Sequence, residues 1–582
     1  MGFGVLDTPP GHFAPGTVQL EDLHQGQGSA DIILVPEPSK SPRDPLNFPR
    51  LRKELYFVAL LFGACATGVI GPVLVPGFSI IVSAFNVSLT NVALLNGSLV
   101  MALGVSSYIC APLSEICGRR LVYLSTTILL VVSCIWAASA KSYDSLMASR
   151  VFQGLGMGGF FSLAGTTSIN DVFFVHERGF RVGLWNFAVI ASVNITPIIS
   201  GYLIVDLGWR WSFWVLAITF GVCLALVIFC LPETIYDRKI EGVASDKDNF
   251  APNVTDEESK LDKVPDENDN EKGDGMDISE GQNHPVSKRS PAWKRVLGVE
   301  MVTFKGISTL LGMILAPLTI LRHPVVIWGC AMWSVLFTWN IIQGAIADQI
   351  FAAPPYNLSP SDVGLIVGIA PFIGSALGTI GGGWICDLVA KGMSKRNGGV
   401  YEPEFRLVVM LPSLITVVIG AFGLGIAVEQ GLSQIKCAVF LAILNFGTGV
   451  GCTGVVVYTN DVCQEKAGEA FGLAMLVKSA FAFGLTFMLN DYLATHGALV
   501  FFSTWGGLTI GVMLTTVPLK CSPLRWQLSP RLQRVGYHRT YYSVFLHHTN
   551  GDTESGPSKY GAAACRVSHT LTARSQIHSL VI

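Results

Sequence analysis

Two basic side chains stand inside long apolar stretches, where an apolar sequence has no structural use for them. Arg150 opens the run Arg-Val-Phe-Gln153-Gly154 about one to two turns in from the end of its stretch, from where it could snorkel to the rim. Lys478 is deeper, eleven residues from either end of its stretch, or about 16 Å at 1.5 Å per residue. A cation at that depth in a bilayer costs roughly 2.5–3.5 kcal/mol even on the lenient insertion scale, so it should face protein or water and have a function. The chemistry open to such residues is recognition of an anionic or polar neutral group and the ordering of water that passes a proton. No carboxylate lies at comparable depth: Asp348 and Asp206 fall at one rim of their stretches, and Asp171, Glu115 and Asp387 at the other.

Amide and aromatic side chains lie at similar depths. Trp339, Asn340 and Gln343 share one stretch, Trp185 and Asn194 another, and Asn445 a third, while Phe160 and Phe161 follow Arg150. The amides are too deep for exposure to lipid, so these residues predict a polar-aromatic cavity with flat apolar walls. Glu115, Gly118, Arg119 and Arg120 make a tight basic turn. Arg119 and Arg120 alone would serve to anchor a membrane helix. Gly118 and Glu115 add a close backbone approach and a carboxylate able to pair with an arginine or a helix N-terminus, which together would make a latch.

Other chemistries find no support. Gly154, Gly156 and Gly159 formally match a dinucleotide-binding loop, but they lie within an apolar span, where small residues serve close helix packing. Gly472 to Ser479 resembles half a phosphate loop with Val477 in place of the second glycine. His176, His323 and His496 fall at helix ends, so neither a histidine relay nor a metal site is expected. Thirteen cysteines include no CxxC pair, and most sit in apolar runs as small hydrophobes. No catalytic constellation, cofactor or nucleic-acid partner is indicated.

The elements that would position these residues are membrane helices. Of 582 residues, 50% are apolar and 14% charged, with mean hydropathy +0.50 and net charge −2. A soluble domain carries about 25% charged residues, so a soluble multidomain enzyme is excluded. Runs of about 20 apolar residues mark spanning helices, and twelve occur, at roughly 55–79, 92–112, 121–139, 145–169, 181–204, 211–231, 325–347, 363–385, 407–428, 435–458, 467–489 and 498–517. The expected organisation is a tail 1–54, a six-helix half 55–231, a largely disordered linker 232–324, a second half 325–519 and a tail 520–582. The polar, Pro-rich start shows no cleaved signal peptide.

Lys and Arg crowd one set of short loops, including Arg119, Arg120, Arg178, Lys391, Arg396 and Lys466. That bias predicts cytoplasmic termini and linker. The sequons at Asn86 and Asn357 then fall in outside loops, as glycosylation sites. The halves echo each other: Ala111 to Arg120 follows the second span, and Gly383 to Asp387, with Lys391 and Arg396, follows the eighth. Two six-helix repeats around a central cavity are a common plan for secondary transporters.

With these motifs in hand, the chain resembles the major facilitator superfamily over roughly residues 31–519. Ala111–Arg120 is similar to the superfamily's loop between helices 2 and 3, and Arg150–Gly156 to the fourth-helix signature of its drug:proton antiporter branch. Thr196-Pro197 to Gly201 keeps part of the fifth-helix antiporter signature. Asp44–Pro49, Phe174–Gly179 and Tyr401–Leu407 look like the yeast histidinol/polyamine transporter group. The resemblance implies twelve transmembrane helices in two pseudo-repeats, with Arg150, Gln153 and Lys478 in proton coupling and the cavity. It also implies a conformational latch of Glu115, Gly118, Arg119, Arg120 and Asp387, in which Gly118 brings the backbone close to helix 11.

Phe161, Trp185, Asn194, Trp339, Asn340, Gln343 and Asn445 are then the substrate cavity. Relatives that carry polyamines have a Pro-Phe-Glu-like stretch after the fourth-helix signature. Here it reads Gly159-Phe160-Phe161-Ser162, with Phe161 at the place of that glutamate. The expected function is proton-coupled efflux of a small lipophilic compound by a monomer in the plasma membrane, or in a vacuolar or endosomal membrane. The alternatives are uptake of a polyamine or other organic cation and, as a minor one, a nutrient sensor that no longer transports.

Overall fold

The computed structural model describes residues 18–19, 44–236, 307–321, 323–396, 400–463 and 467–517. Met1–Cys521 forms one compact unit, while the other, Ser522–Ile582, lies outside the described residues, as does most of the predicted linker. The first half comprises α1 (Arg50–Ile70), α2 (Leu89–Cys117), α3 (Arg119–Ser139), α4 (Tyr143–Leu163), α5 (Val175–Asp206) and α6 (Trp209–Cys230). The second comprises α7 (Pro324–Phe351), α8 (Pro360–Arg396), α9 (Met410–Glu429), α10 (Gln434–Cys463), α11 (Ala467–Thr486) and α12 (Leu489–Leu514). Eleven of the described helices are long and apolar enough to cross a membrane. The twelfth in the sequence reading, α4, is the one diluted by Asp144, Arg150 and Gln153. Helices are the form that satisfies every backbone group without water.

Local chemistry sets the ends. Ser88 and Ser142 cap α2 and α4 by accepting the Asn91 and Ser145 N–H groups at 3.2 and 3.3 Å. Gly118 turns α2 into α3 at φ +98°, a conformation that side chains resist. Four elements depart from the sequence reading. The span expected at 55–79 is broken: α1 stops at Ile70, a 3-10 stretch runs Pro72–Gly77, and a second helix follows at Phe78–Phe85. Pro72 and Pro76 cannot donate to a continuous helical ladder. Beyond Leu163, α4 passes through a π turn at Ala164–Ser168, and α8 runs eleven residues past its expected end. Within the segment expected to be a disordered linker, Ile307–Ile320 is helical and its Ile314 carbonyl accepts the Tyr108 hydroxyl of α2.

The halves meet where α2 packs along α11 and α5 along α8. Six crossings return each half to the face it started from, so one face carries the starts of α1 and α7 and the other the α1–α2 and α7–α8 loops. A two-residue strand, β1 (Val18–Gln19), pairs antiparallel with β2 (Val400–Tyr401) before α9. Gly154, Gly156 and Gly159 pack against Leu99, Leu130 and Thr126, where a β-carbon would collide.

Candidate functional site

Arg150 is fully buried in the first half, and four oxygens hold its fork. Nη1 donates to the Ile70 carbonyl at 3.0 Å and to Gln153 Oε1 at 2.9 Å. Nη2 donates to the Gly71 carbonyl at 3.2 Å and to Asn96 Oδ1 of α2. The Ile70 carbonyl is available because α1 ends there, leaving its last carbonyls without helical partners. Gln153 in turn donates to the Ser133 carbonyl of α3 at 3.4 Å. None of these partners is a carboxylate. The cluster ties α1, α2, α3 and α4 together around one positive charge.

Lys478 of α11 is 3% exposed and is held differently. Its Nζ lies 3.4 Å from the ring centre of Phe337 and 5.4 Å from that of Trp333, both on α7. No ion pair to it occurs among the described residues. Aromatic faces attract a cation, by up to about 2 kcal/mol when desolvated, without saturating its three N–H donors.

The predicted cavity amides divide into two groups. Asn194 of α5 donates to Ser375 Oγ of α8 at 2.9 Å, across the seam between the halves. Asn445 Nδ2 donates to Gln343 Oε1 at 2.9 Å and to the Leu441 carbonyl at 2.8 Å. That leaves Gln343 Nε2 and Asn445 Oδ1 buried and unpartnered among the described residues. Such groups cost about 1–3 kcal/mol each, so the pair favours a ligand or water with both an acceptor and a donor.

The aromatic residues are more structural. Trp339 is buried, donates to Thr509 Oγ1 at 3.1 Å and stacks on Phe502 of α12. Phe160 is buried against Tyr123 and Gly63, while Phe161 and Asn340 are half-buried. Trp185 fills the space that Gly165 leaves in the π turn, and its Nε1 is unpartnered among the described residues. A cavity of about 250 Å³ lies elsewhere, between α1, α5 and α6, and includes none of the predicted cavity residues.

The predicted latch residues sit in two clusters, one in each half. Arg119 pairs with Asp171 at 3.2 Å and donates to Ser114 Oγ at 2.7 Å. Glu233, just past α6, accepts the Arg119 and Arg120 backbone N–H groups at 3.0 and 3.1 Å, capping α3. Arg120 Nη2 donates to the Ile228 carbonyl, and Glu115 is exposed. In the second half Arg406 joins Asp387 at 3.5 Å and Asp461 at 2.7 Å. Gly118 answers to its positive φ. Sequence reasoning missed Asp461, Arg406, Glu233 and Asn96 as partners. Asn170-Asp171 after the fourth span and Asn460-Asp461 after the tenth form a repeated dipeptide that marks the two aspartates.

Asn86 and Asn357 are exposed at helix-flanking turns, with φ of 53° and 48°. His323, at the start of α7, has its imidazole pKa pushed down by burial, which favours the neutral ring.

Comparison with known proteins gives this arrangement a family. The family model of the Major Facilitator Superfamily matches residues 56–486. Protein HOL1 of Saccharomyces cerevisiae is 24% identical, with 87% of this chain and 94% of HOL1 aligned. Citrate exporter 1 of Aspergillus niger is 26% identical over 60% of this chain and 61% of its own length. A crystal structure of a D-xylose-proton symporter superposes with a TM-score of 0.55 at 14% identity, covering 80% of this chain and 97% of the symporter.

Proposed function

The chain belongs to the major facilitator superfamily, and from that premise we propose that this secondary transporter is a proton-coupled exporter of a small lipophilic compound. The observation that carries the substrate reading is the pair of buried cations without a carboxylate partner, Arg150 and Lys478. A polyamine brings two or more positive charges, and removing them from water without carboxylates is prohibitive. Lys478 repels such a cation and suits a neutral or anionic molecule. Phe161, at the place of the glutamate in polyamine-carrying relatives, fits the same preference. Gln343 and Asn445 supply the polar contacts that orient a largely apolar ligand.

Outward direction draws support from the fourth-helix signature around Arg150 and from a relative whose name is that of an exporter. The route is alternating access about the α2–α11 and α5–α8 seams, with the Arg119–Asp171 and Arg406–Asp461 clusters stiffening the helix ends that rock. The basic face, with both termini, is cytoplasmic, and the membrane is the plasma membrane.

The test is expression in a yeast lacking its own polyamine importer, scored for labelled spermidine uptake and for resistance to a panel of lipophilic toxins. Resistance without spermidine uptake is expected. Restored spermidine uptake with unchanged resistance overturns the export reading and promotes polyamine import.

A further inference from the structure

Helix α1 is broken, and each broken end is held by a charge from another helix. At the first end, Arg150 of α4 takes the Ile70 and Gly71 carbonyls. At the second end, the helix Phe78–Phe85 starts after Gly77, which has no side chain to cap it. Its Ser79 N–H donates instead to Asp348 Oδ2 on α7 at 2.8 Å, and Ser79 Oγ reaches Oδ1 at 3.4 Å. A cation at a helix C-terminus and a carboxylate at an N-terminus are each the sign that the helix dipole favours. Arg150 belongs to the first half and Asp348 to the second. The stretch between them is buried: Val73, Leu74 and Val75 are each 3% exposed or less. Val75 packs where a β-carbon on Gly344 of α7 would come within 3.3 Å, beside Gln343.

We propose that Asp348 is the positioning residue that latches the α1–α2 loop face shut, and that the broken stretch Pro72–Gly77 connects this latch to Arg150. The inference rests on the alternating-access reading above. Parting the halves on this face removes the cap from Phe78–Phe85 and strands a carboxylate, so closure is favoured while both contacts stand. The helix Phe78–Phe85 carries no charged residue of its own, so Asp348 supplies the charge at this junction. A second tie on the same face, Thr90 Oγ1 to Asp491 at 3.0 Å, is exposed and hence weaker. When substrate or water takes a finger of Arg150 away from Ile70 or Gly71, the stretch loses its anchor at one end and Asp348 holds it alone. The state of Arg150 is thereby communicated to the α1–α2 loop face through the six residues Pro72–Gly77.

The experiment uses the full chain in lipid nanodiscs, with spin labels on p-acetylphenylalanine at Ala84 and Gln434, which leaves every cysteine in place. Double electron–electron resonance reads the separation of the halves on this face. Asp348→Ala raises the long-distance population about tenfold, the effect of losing a helix cap. Asp348→Asn, whose amide oxygen still accepts the Ser79 N–H, raises it no more than about threefold. Ser79→Pro removes the N–H together with the longer Oγ contact, in a first turn where proline is tolerated, and shifts the distances as Asp348→Ala does. Arg150→Lys shifts them in the same direction with Asp348 intact. A folded Asp348→Ala or Ser79→Pro with wild-type distances overturns the latch, and an unmoved Arg150→Lys overturns its connection to Arg150. Toxin resistance reports separately: its absence with distances moving as stated overturns the export reading and leaves the latch. Unmoved distances with resistance intact overturn the latch alone.

Discussion

Arg150 and Lys478 are cations buried in opposite halves, each 3% exposed or less, and the protein holds them in opposite ways. Arg150 is gripped by two backbone carbonyls and two amide oxygens from three helices. Lys478 rests on two aromatic faces, with no ion pair among the described residues. The first arrangement spends the four hydrogen bonds of the Nη groups on the protein, leaving only Nε without a partner among the described residues, and makes the residue a joint between helices. The second leaves ammonium donors for something that comes and goes. A planar fork on a stiff scaffold suits the joint, and a compact charge on a flexible stem suits the visitor.

The sharpest way to break this contrast is Arg150→Ala. It removes the donor from four oxygens, those of Ile70 and Gln153 fully buried and those of Gly71 and Asn96 half-buried, at up to about 1–3 kcal/mol each, so both stability and function fall. Proton-driven flux in vesicles drops by about a hundredfold or more, with a lower unfolding midpoint, since about 2.7 kcal/mol corresponds to that factor. Arg150→Lys keeps the charge and loses the fork, and recovers only part of each. Unchanged flux in Arg150→Ala ends the idea that this joint serves transport.

Lys478→Met is the counterpart, and there stability and function should part company. Removing a buried charge with no ion-pair partner leaves the fold intact or stabilises it by about 1 kcal/mol or more. Transport of a neutral or anionic substrate falls about tenfold, the worth of one charge-assisted hydrogen bond. A raised melting temperature with full transport would make Lys478 structural and erase the contrast.

Gly364→Ala asks whether the seam between the halves must close this tightly. The added β-carbon would collide with the Pro197 carbonyl of α5, whereas Gly381 faces open space. Transport falls about threefold or more for Gly364→Ala and holds for Gly381→Ala, in keeping with overpacking costs of about 1–3 kcal/mol where the atoms met are backbone. Transport unchanged in both variants would show that the seam tolerates looser packing.

The smallest effect belongs to topology. On the orientation proposed above, the linker sequon Asn253-Val-Thr255 is cytoplasmic, so Asn253→Gln leaves electrophoretic mobility unaltered. Any glycosidase-sensitive shift disappears only with Asn86→Gln or Asn357→Gln. A shift abolished by Asn253→Gln would invert the faces, and with them the side on which Asp348 closes the protein.

Much of the fold was legible because lipid allows few alternatives. A run of some 20 apolar residues must be a helix, and the repeated basic turns at Arg119 and Arg396 betrayed two related halves. Burial was legible too: Arg150, Lys478, Gln343 and Asn445 stood out in apolar runs before any contact was known, and all four are buried. The break in α1 goes unread: Pro72 and Pro76 are the available signal, but the run 55–79 reads as one span because an apolar run hides a 3-10 stretch from hydropathy. Trp339 read as a cavity wall, yet it stacks on Phe502, because amphipathic aromatics look alike whether they face a ligand or another helix.

By itself, then, the sequence determined the membrane class, the order of the spanning helices and the doubled architecture. These depend on composition and spacing along one chain, which hydrophobic burial reads directly. Only the tertiary structure decided partnership: that Arg150 grips α1, that Asp348 caps a helix 269 residues away, and that Lys478 has rings for neighbours. Hydrogen bonds and cation–aromatic contacts are short-ranged and directional. They exist only once twelve helices have packed, and no period within one helix records which neighbour it will meet.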